Sequence, residues 1–213
     1  MTGRIAPFLS RRHFSAVAAS CMVGTARAQA SLVATPRQTA GPFYPVEWNG
    51  DVDNDLVVVR GEAARATGQV LHLRGRVLDV HGQPQAGARV EIWQCDFQGL
   101  YRHPGDQRSD RVRETAFQGR GRALAAADGL YSFRTIRPVA YANRTPHIHV
   151  RVETADRRSL VTQMYVEGEK LNSQDFLLNA IDAGRRQAVT VRLAAADGIE
   201  TGALAGTFDI VID

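Results

Sequence analysis

At 213 residues, 44% hydrophobic and 23% charged, with 19 glycines and 8 prolines scattered along it, the chain can bury one substantial core. This composition excludes a low-complexity or fibrous polymer. The formal charge of +4 resides in the first thirty residues: Arg4, Arg11, Arg12 and Arg27 occur there without any acid, leaving 22 basic against 22 acidic groups. The balanced remainder gives no electrostatic reason to expect nucleic acid or an anionic membrane as partner.

Residues 1–30 are expected to form a signal peptide of the twin-arginine type. Arg11-Arg12-His13-Phe14 precedes a small, apolar run from Ala16 to Ala26, and small-residue cleavage positions follow at Ala28 and Ala30. The run is too short and too weakly apolar for a membrane anchor, so residues 31–213 are expected to be exported, to the periplasm or beyond. A lipoprotein reading at Cys21 lacks an adequate apolar segment ahead of it. Loss of the leader leaves Cys95 alone, without a partner for an internal disulfide, and it reads as a small buried residue.

Downstream, residues 35–45 form an irregular arm with three prolines, and Leu56 to Val59 make a short strand candidate. Val70 to Val80 and Ala88 to Cys95 read as strands separated by the turn residues of His81-Gly-Gln-Pro84. Gln98 to Asp128 reads as one long polar loop, of a length that usually carries function. Leu130 to Ile136, residues 147–153 and Leu160 to Val166 read as further strands. A helix is expected over Ser173 to Gly184, with Ser173 as its N-cap, and Ala188 to Leu193 and Thr207 to Ile212 complete the strand set. Many short strands and one helix predict an all-β sandwich with long loops.

The histidine strand carries the chemistry. Alternate strand residues share a face, so His147 and His149 project together while Ile148 and Val150 point into apolar packing. Paired imidazoles suit a metal ion; an exposed polar face is the plain alternative. Of the five tyrosines, Tyr141 lies six residues before His147, and Tyr101 follows the strand that holds Trp93. Phenolate suits a hard trivalent ion that lowers its pKa, whereas zinc favours His, Cys and carboxylate; a Tyr/His set therefore points to Fe(III). Tyr131, Tyr165 and Tyr44 are better explained by packing, and His103 by exposure on a loop.

Several stretches together resemble the intradiol ring-cleavage dioxygenases, specifically the protocatechuate 3,4-dioxygenase type. They are Thr35-Pro-Arg-Gln-Thr-Ala-Gly-Pro-Phe-Tyr44, Glu91-Ile-Trp-Gln-Cys-Asp96, Gly99-Leu-Tyr-Arg-His-Pro104, Phe117-Gln-Gly-Arg-Gly-Arg122, Asp128 to Pro138, and Arg144-Thr-Pro-His-Ile-His149. The resemblance spans about Thr35 to Phe176. It implies Fe(III) held by Tyr101, Tyr141, His147 and His149, with Tyr141 and His147 as the axial pair. It also implies that Arg144 opposes charge on the substrate and that Gln163 lines the pocket. A catechol would bind as a dianion and be opened with O2 to a muconate-type diacid, Tyr141 being displaced and taking a proton. One departure from the family pattern is the short stretch between Tyr141 and His147, which predicts a wider, more open pocket. The specific catechol, and the choice between a single chain, a homo-oligomer and a two-subunit assembly, stay open.

Two other classes compete. A secreted β-sandwich binding module without catalysis fits the strands at 70–95 but leaves the two tyrosines and two histidines unexplained. A zinc hydrolase needs a third His, Asp or Glu beside the histidine strand, where Glu153 and His103 are the nearest candidates.

Overall fold

A computed structural model describes the first two residues, residues 31–108 and residues 110–213. The leader, the Cys21 reading and the cleavage positions lie outside the described residues. Among those described, no helix is long and apolar enough to cross a membrane.

Two five-stranded sheets face each other. The first is built on β1 (Val70–Asp79), which pairs antiparallel with β4 (Leu130–Ile136) and parallel with β9 (Leu204–Thr207) and then β10 (Ile210–Ile212); β8 (Ala194–Ala195) adds to β9. The second runs β3 (Arg120–Leu124), β2 (Arg89–Trp93), β5 (His147–Glu153), β6 (Ser159–Val166) and β7 (Thr190–Val191). All-β architecture follows from the sequence pattern. Alternation puts Leu71, Leu73 and Val77 of β1 and Phe133 of β4 against Val90, Ile92, Ile148, Val150, Val152, Leu160 and Met164 of the second sheet, all at 2% exposure or less.

Five local expectations need correction. Leu56 to Val59 form no strand; they lie in a turn fixed by an isolated bridge between Asp55 and Arg134. The loop from Gln98 to Asp128 contains β3. The run Thr207 to Ile212 is broken, because Phe208 turns its carbonyl toward Gly75: a Cβ at Gly75 would lie 1.9 Å from Phe208 O. The Asp209 carboxylate then takes the Arg76 N–H at 2.8 Å in place of a ladder bond. Of Ala188 to Leu193, the first two residues end a 3-10 turn and only the next two, β7, are strand. Finally, α1 is a single turn, Phe176–Asn179, capped by Asp175 rather than Ser173. Asp175 accepts from Leu177 N and Leu178 N, whereas Ser173 ends a 3-10 turn and its hydroxyl donates back to Lys170 O.

The outward face of the second sheet is where function can sit. Register places Trp93, His149 and Gln163 in one cross-strand row, and His147 beside Tyr165 in the next. The arm at 35–45, the 97–117 segment and α1 cover this face instead of solvent, so that His147 and His149 are 2% and 5% exposed.

Candidate metal centre

Each imidazole is placed by a strand whose two edges are both paired. His147 Nδ1 meets Thr145 O at 2.6 Å; the carbonyl can only accept, so Nδ1 carries the ring hydrogen and Nε2 presents a lone pair. His149 stacks on the Trp93 indole with ring centroids 4.9 Å apart and planes 7° from parallel, and its buried Nδ1 has no hydrogen-bond partner. Both rings are neutral. Burial and then the Arg144 charge pull His147 down to about 4, and burial, His147 and Arg144 hold His149 well below its ordinary value. Neutral imidazole is the form that binds metal.

Tyr101 reaches the same point from a different element. Beyond β2 the buried Asp96 carboxylate accepts from Gln98 N, Leu100 N and Glu114 N, folding the chain into a tight turn through Gly99 at φ +77°. The Tyr101 N–H then donates to Asp106 at 2.7 Å, and Phe43 of the arm stacks on the ring at 5.0 Å. Its hydroxyl lies 3.3 Å from His147 Nε2, which in turn lies 3.3 Å from His149 Nε2. Burial holds the free phenol protonated, well above its usual pKa; a trivalent cation reverses that preference.

Tyr141 is held less firmly. It is half-buried, with its ring edge-on to Tyr101 at 5.2 Å and to Phe43 at 5.6 Å and the Arg108 guanidinium 5.5 Å from its centroid. A two-residue turn carries it: Arg144 N donates to Tyr141 O at 2.9 Å, and Ala142 takes φ +49°, a left-handed value that alanine adopts only under constraint. The short spacing to His147 is thus a tight turn. Tyr101 is 2% exposed beside Phe43 and Tyr141.

Arg144 and Gln163 meet one another. Arg144 Nη2 donates to Gln163 Oε1 at 2.7 Å and to Tyr165 Oη at 3.3 Å, while Nε donates to Asp175 at 2.7 Å. Among the described residues Nη1 has no hydrogen-bond partner. Asp175, wholly buried, also takes the Thr145 N–H at 3.0 Å, so one carboxylate fixes both the arginine and the segment that orients His147.

The donor set passes a simple test of fit. A first-row metal with bonds of about 2.0–2.1 Å and angles near 100° sets adjacent donors about 3.2 Å apart, and both observed separations are 3.3 Å. Among the described residues no three His, Cys, Asp or Glu side chains gather to hold an ion, so any such site here must recruit tyrosine. Neither zinc-hydrolase candidate serves: Glu153 pairs with Arg89 and Arg151 at the far end of β5, and His103 Nδ1 accepts from Gly105 N. Tyr131 donates to Phe208 O in the core, and Tyr44 donates to Glu91 outside the cluster. Cys95 is buried and its thiol pushed up to about 12. Trp93, Phe43, Gly41, Thr145 and Asp175 complete the surroundings, none of them having been given a site role from the sequence. Parity with His149 could have flagged Trp93.

Comparison with known proteins places this arrangement. The Dioxygenase family matches residues 39–213. The chain is 34% identical to the protocatechuate 3,4-dioxygenase beta chain of Burkholderia cepacia, over 83% of this chain and 78% of that one. It is 32% identical to catechol 1,2-dioxygenase 1 of Acinetobacter lwoffii, over 67% of this chain and 49% of that one, so it spans about half the length of that relative. Among solved structures, the dioxygenase domain of a dioxygenase carbohydrate-binding protein fusion from Streptomyces sp. SirexAA-E superposes with TM-score 0.66 at 30% identity, covering 85% of this chain and 99% of that one. The protein is therefore an oxidoreductase of the dioxygenase class. It belongs to the intradiol ring-cleavage family.

Proposed function

We propose that this chain is a non-haem Fe(III) enzyme that opens a small, protocatechuate-like catechol between its two hydroxyl-bearing carbons. Both atoms of O2 enter the product, a muconate-type diacid, so no external reductant is required. The observation that carries this reading is the convergence of Tyr101 Oη, His147 Nε2 and His149 Nε2 at 3.3 Å spacings in a buried, carboxylate-free cluster. Tyr141 is the fourth proposed ligand. When bound, the ion supplies Lewis acidity toward both catechol oxygens.

The chain's own groups do the rest. The paired strands fix both imidazoles, and Trp93 and Phe43 exclude water around them, strengthening every charge interaction in the pocket. Half-buried on its turn, Tyr141 is the least constrained of the four, and its Oη would take a proton that a catechol hydroxyl gives up. Gln163 and Asp175 orient Arg144, whose free Nη1 opposes negative charge on the bound ring.

Tyrosinate on ferric iron absorbs visible light, so the iron-loaded protein is expected to be coloured and to take up oxygen with one or more members of a panel of protocatechuate, catechol and hydroxyquinol. Tyr101→Phe and His149→Ala should each lose iron or activity, whereas Tyr141→Phe should impair substrate binding more than iron retention. Full iron content and full cleavage in the Tyr101→Phe, His149→Ala double variant would refute the ligand set. Export by the twin-arginine route belongs to the same proposal; processing that persists unchanged in an Arg11→Lys, Arg12→Lys variant would count against it.

A further inference from the structure

A second site lies on the same sheet face, one strand beyond Trp93. Register sets Arg120 opposite Trp93 as it sets Trp93 opposite His149, which puts Arg120 two strand spacings, roughly 10 Å, from the histidine. Arg120 is 5% exposed, donates through Nη2 to Asn49 O at 3.2 Å, and keeps a buried Nε with no partner. Beside it a cavity of about 290 Å3 is lined by Arg102, His103, Arg113, Arg120, Glu47 and Asn49.

The charges in this cavity are unbalanced. Among the described residues, Arg102, Arg113 and Arg120 make no ion pair with any carboxylate. Glu47, the one acid in the lining, is exposed and accepts from Asn49 Nδ2 at 3.0 Å. Arg122 is engaged elsewhere, 3.3 Å from Glu91 and 4.0 Å over the Trp48 ring. Burial, then the neighbouring Arg102, lowers the Arg120 pKa, with Arg113 and Arg122 adding to the effect against Glu47. Guanidinium does not deprotonate in proteins, so a buried, unpaired arginine among other arginines is a standing electrostatic cost that a bound anion removes. The planar forks match the oxygens of carboxylate or phosphate. His103 accepts from Gly105 N through Nδ1, which places its ring hydrogen on Nε2 as one more donor in the lining.

We propose that Arg102, Arg113 and Arg120 bind a small oxyanion, a carboxylate or phosphate dianion, in a pocket separated from the metal centre by the Trp93 indole. This inference does not depend on the chemistry assigned to that centre. Isothermal titration of the iron-loaded chain with inorganic phosphate, and separately with succinate, in HEPES chloride tests it. One saturable site per chain is expected. Arg102→Gln and Arg113→Gln should each weaken binding roughly tenfold or more, while the exposed Arg192→Gln, outside the cavity, leaves it unchanged. Tighter phosphate binding assigns the pocket to phosphate ligands, and tighter succinate binding to carboxylates. Failure of both anions to saturate by tens of millimolar overturns the proposal. So does undiminished binding in the Arg102→Gln, Arg113→Gln double variant, which would put the anion elsewhere, the metal centre included.

Discussion

Asp175 is the residue whose removal should reach furthest. Its Oδ2 accepts from Arg144 Nε and Thr145 N, and its Oδ1 from Arg144 Nη2, Leu177 N and Leu178 N, all with the carboxylate at 0% exposure. Burial alone would raise its pKa, but the Arg144 hydrogen bonds and the backbone N–H donors hold it below the usual carboxylate value. Asp175→Ala leaves the Arg144 cation buried and unpaired, which costs about 3–5 kcal/mol. Loss of the α1 cap adds about 1 kcal/mol. Against a domain stability of about 5–15 kcal/mol, that is a large share. The urea midpoint should fall sharply. Adding Arg144→Met to the variant removes the orphaned cation and should return at least about 2 kcal/mol. Thr145 N bonds Asp175 and Thr145 O orients His147, so metal content per chain should fall in the single variant as well. A loss below about 1 kcal/mol in Asp175→Ala, or no recovery in the double variant, would show that the carboxylate is not what holds this corner together.

Other positions give sharper local tests. Gly41 has φ +70°, and a Cβ there would lie 3.3 Å from His149 Cε1; Gly50 has φ +71° with nothing within 4 Å. Both alanine variants should lose about 1–2 kcal/mol of stability to the left-handed backbone, but only Gly41→Ala should also slow catechol turnover; equal turnover in the two would separate the arm from the site. Ala142→Gly relieves the turn below Tyr141 and should gain about 0.5–1 kcal/mol in thermal unfolding, and a loss would mean that the positive φ is not a strain. Glu200 is held down from 4.5 to about 2, first by the Arg134 hydrogen bonds, with His72 3.1 Å away. A depressed carboxylate stabilises the fold fully above pH 4.5 and ceases to do so as the pH falls through about 2. The stability gap between wild type and Glu200→Gln should therefore close across that window in acid titrations followed by circular dichroism; a constant gap would contradict the pairing.

Some of this was legible in the chain and some was not, for identifiable reasons. The strands β4 and β5 alternate in character and β6 is rich in β-branched and apolar residues, so their extent and the shared face of His147 and His149 could be read directly. The strand β3 could not, because Arg-Gly-Arg-Ala-Leu carries no apolar period. Gly121 is needed there for contact rather than pattern, since a Cβ would fall 2.4 Å from Asp53 O. The helix start was misplaced because Ser173 and Asp175 are both good caps, and the choice is made by Arg144, 31 residues upstream. The arginines around Arg120 lie within a stretch readable only as one long polar loop. Their convergence depends on Gly119, which at φ +72° lets Arg102 pack across it with Cβ 3.1 Å from the space a side chain would fill.

The four proposed ligands differ in how stiffly the backbone holds them, and that difference orders the site. His149 is paired across both edges of β5 and His147 with Tyr165 on one, so that local opening requires breaking ladder pairing. Tyr101 comes from a loop, but one closed by Asp96 and Asp106 and walled in by Phe43. Tyr141 has the backbone hydrogen bonds of a strained two-residue turn and no buried carboxylate behind it. Two chemically identical phenols therefore stand in unequal positions. A ligand that must stay needs the first kind of support, and a ligand that must yield to an incoming catechol needs the second. The division follows from the turn at Ala142 and the loop at Asp96, not from any difference between the phenols themselves.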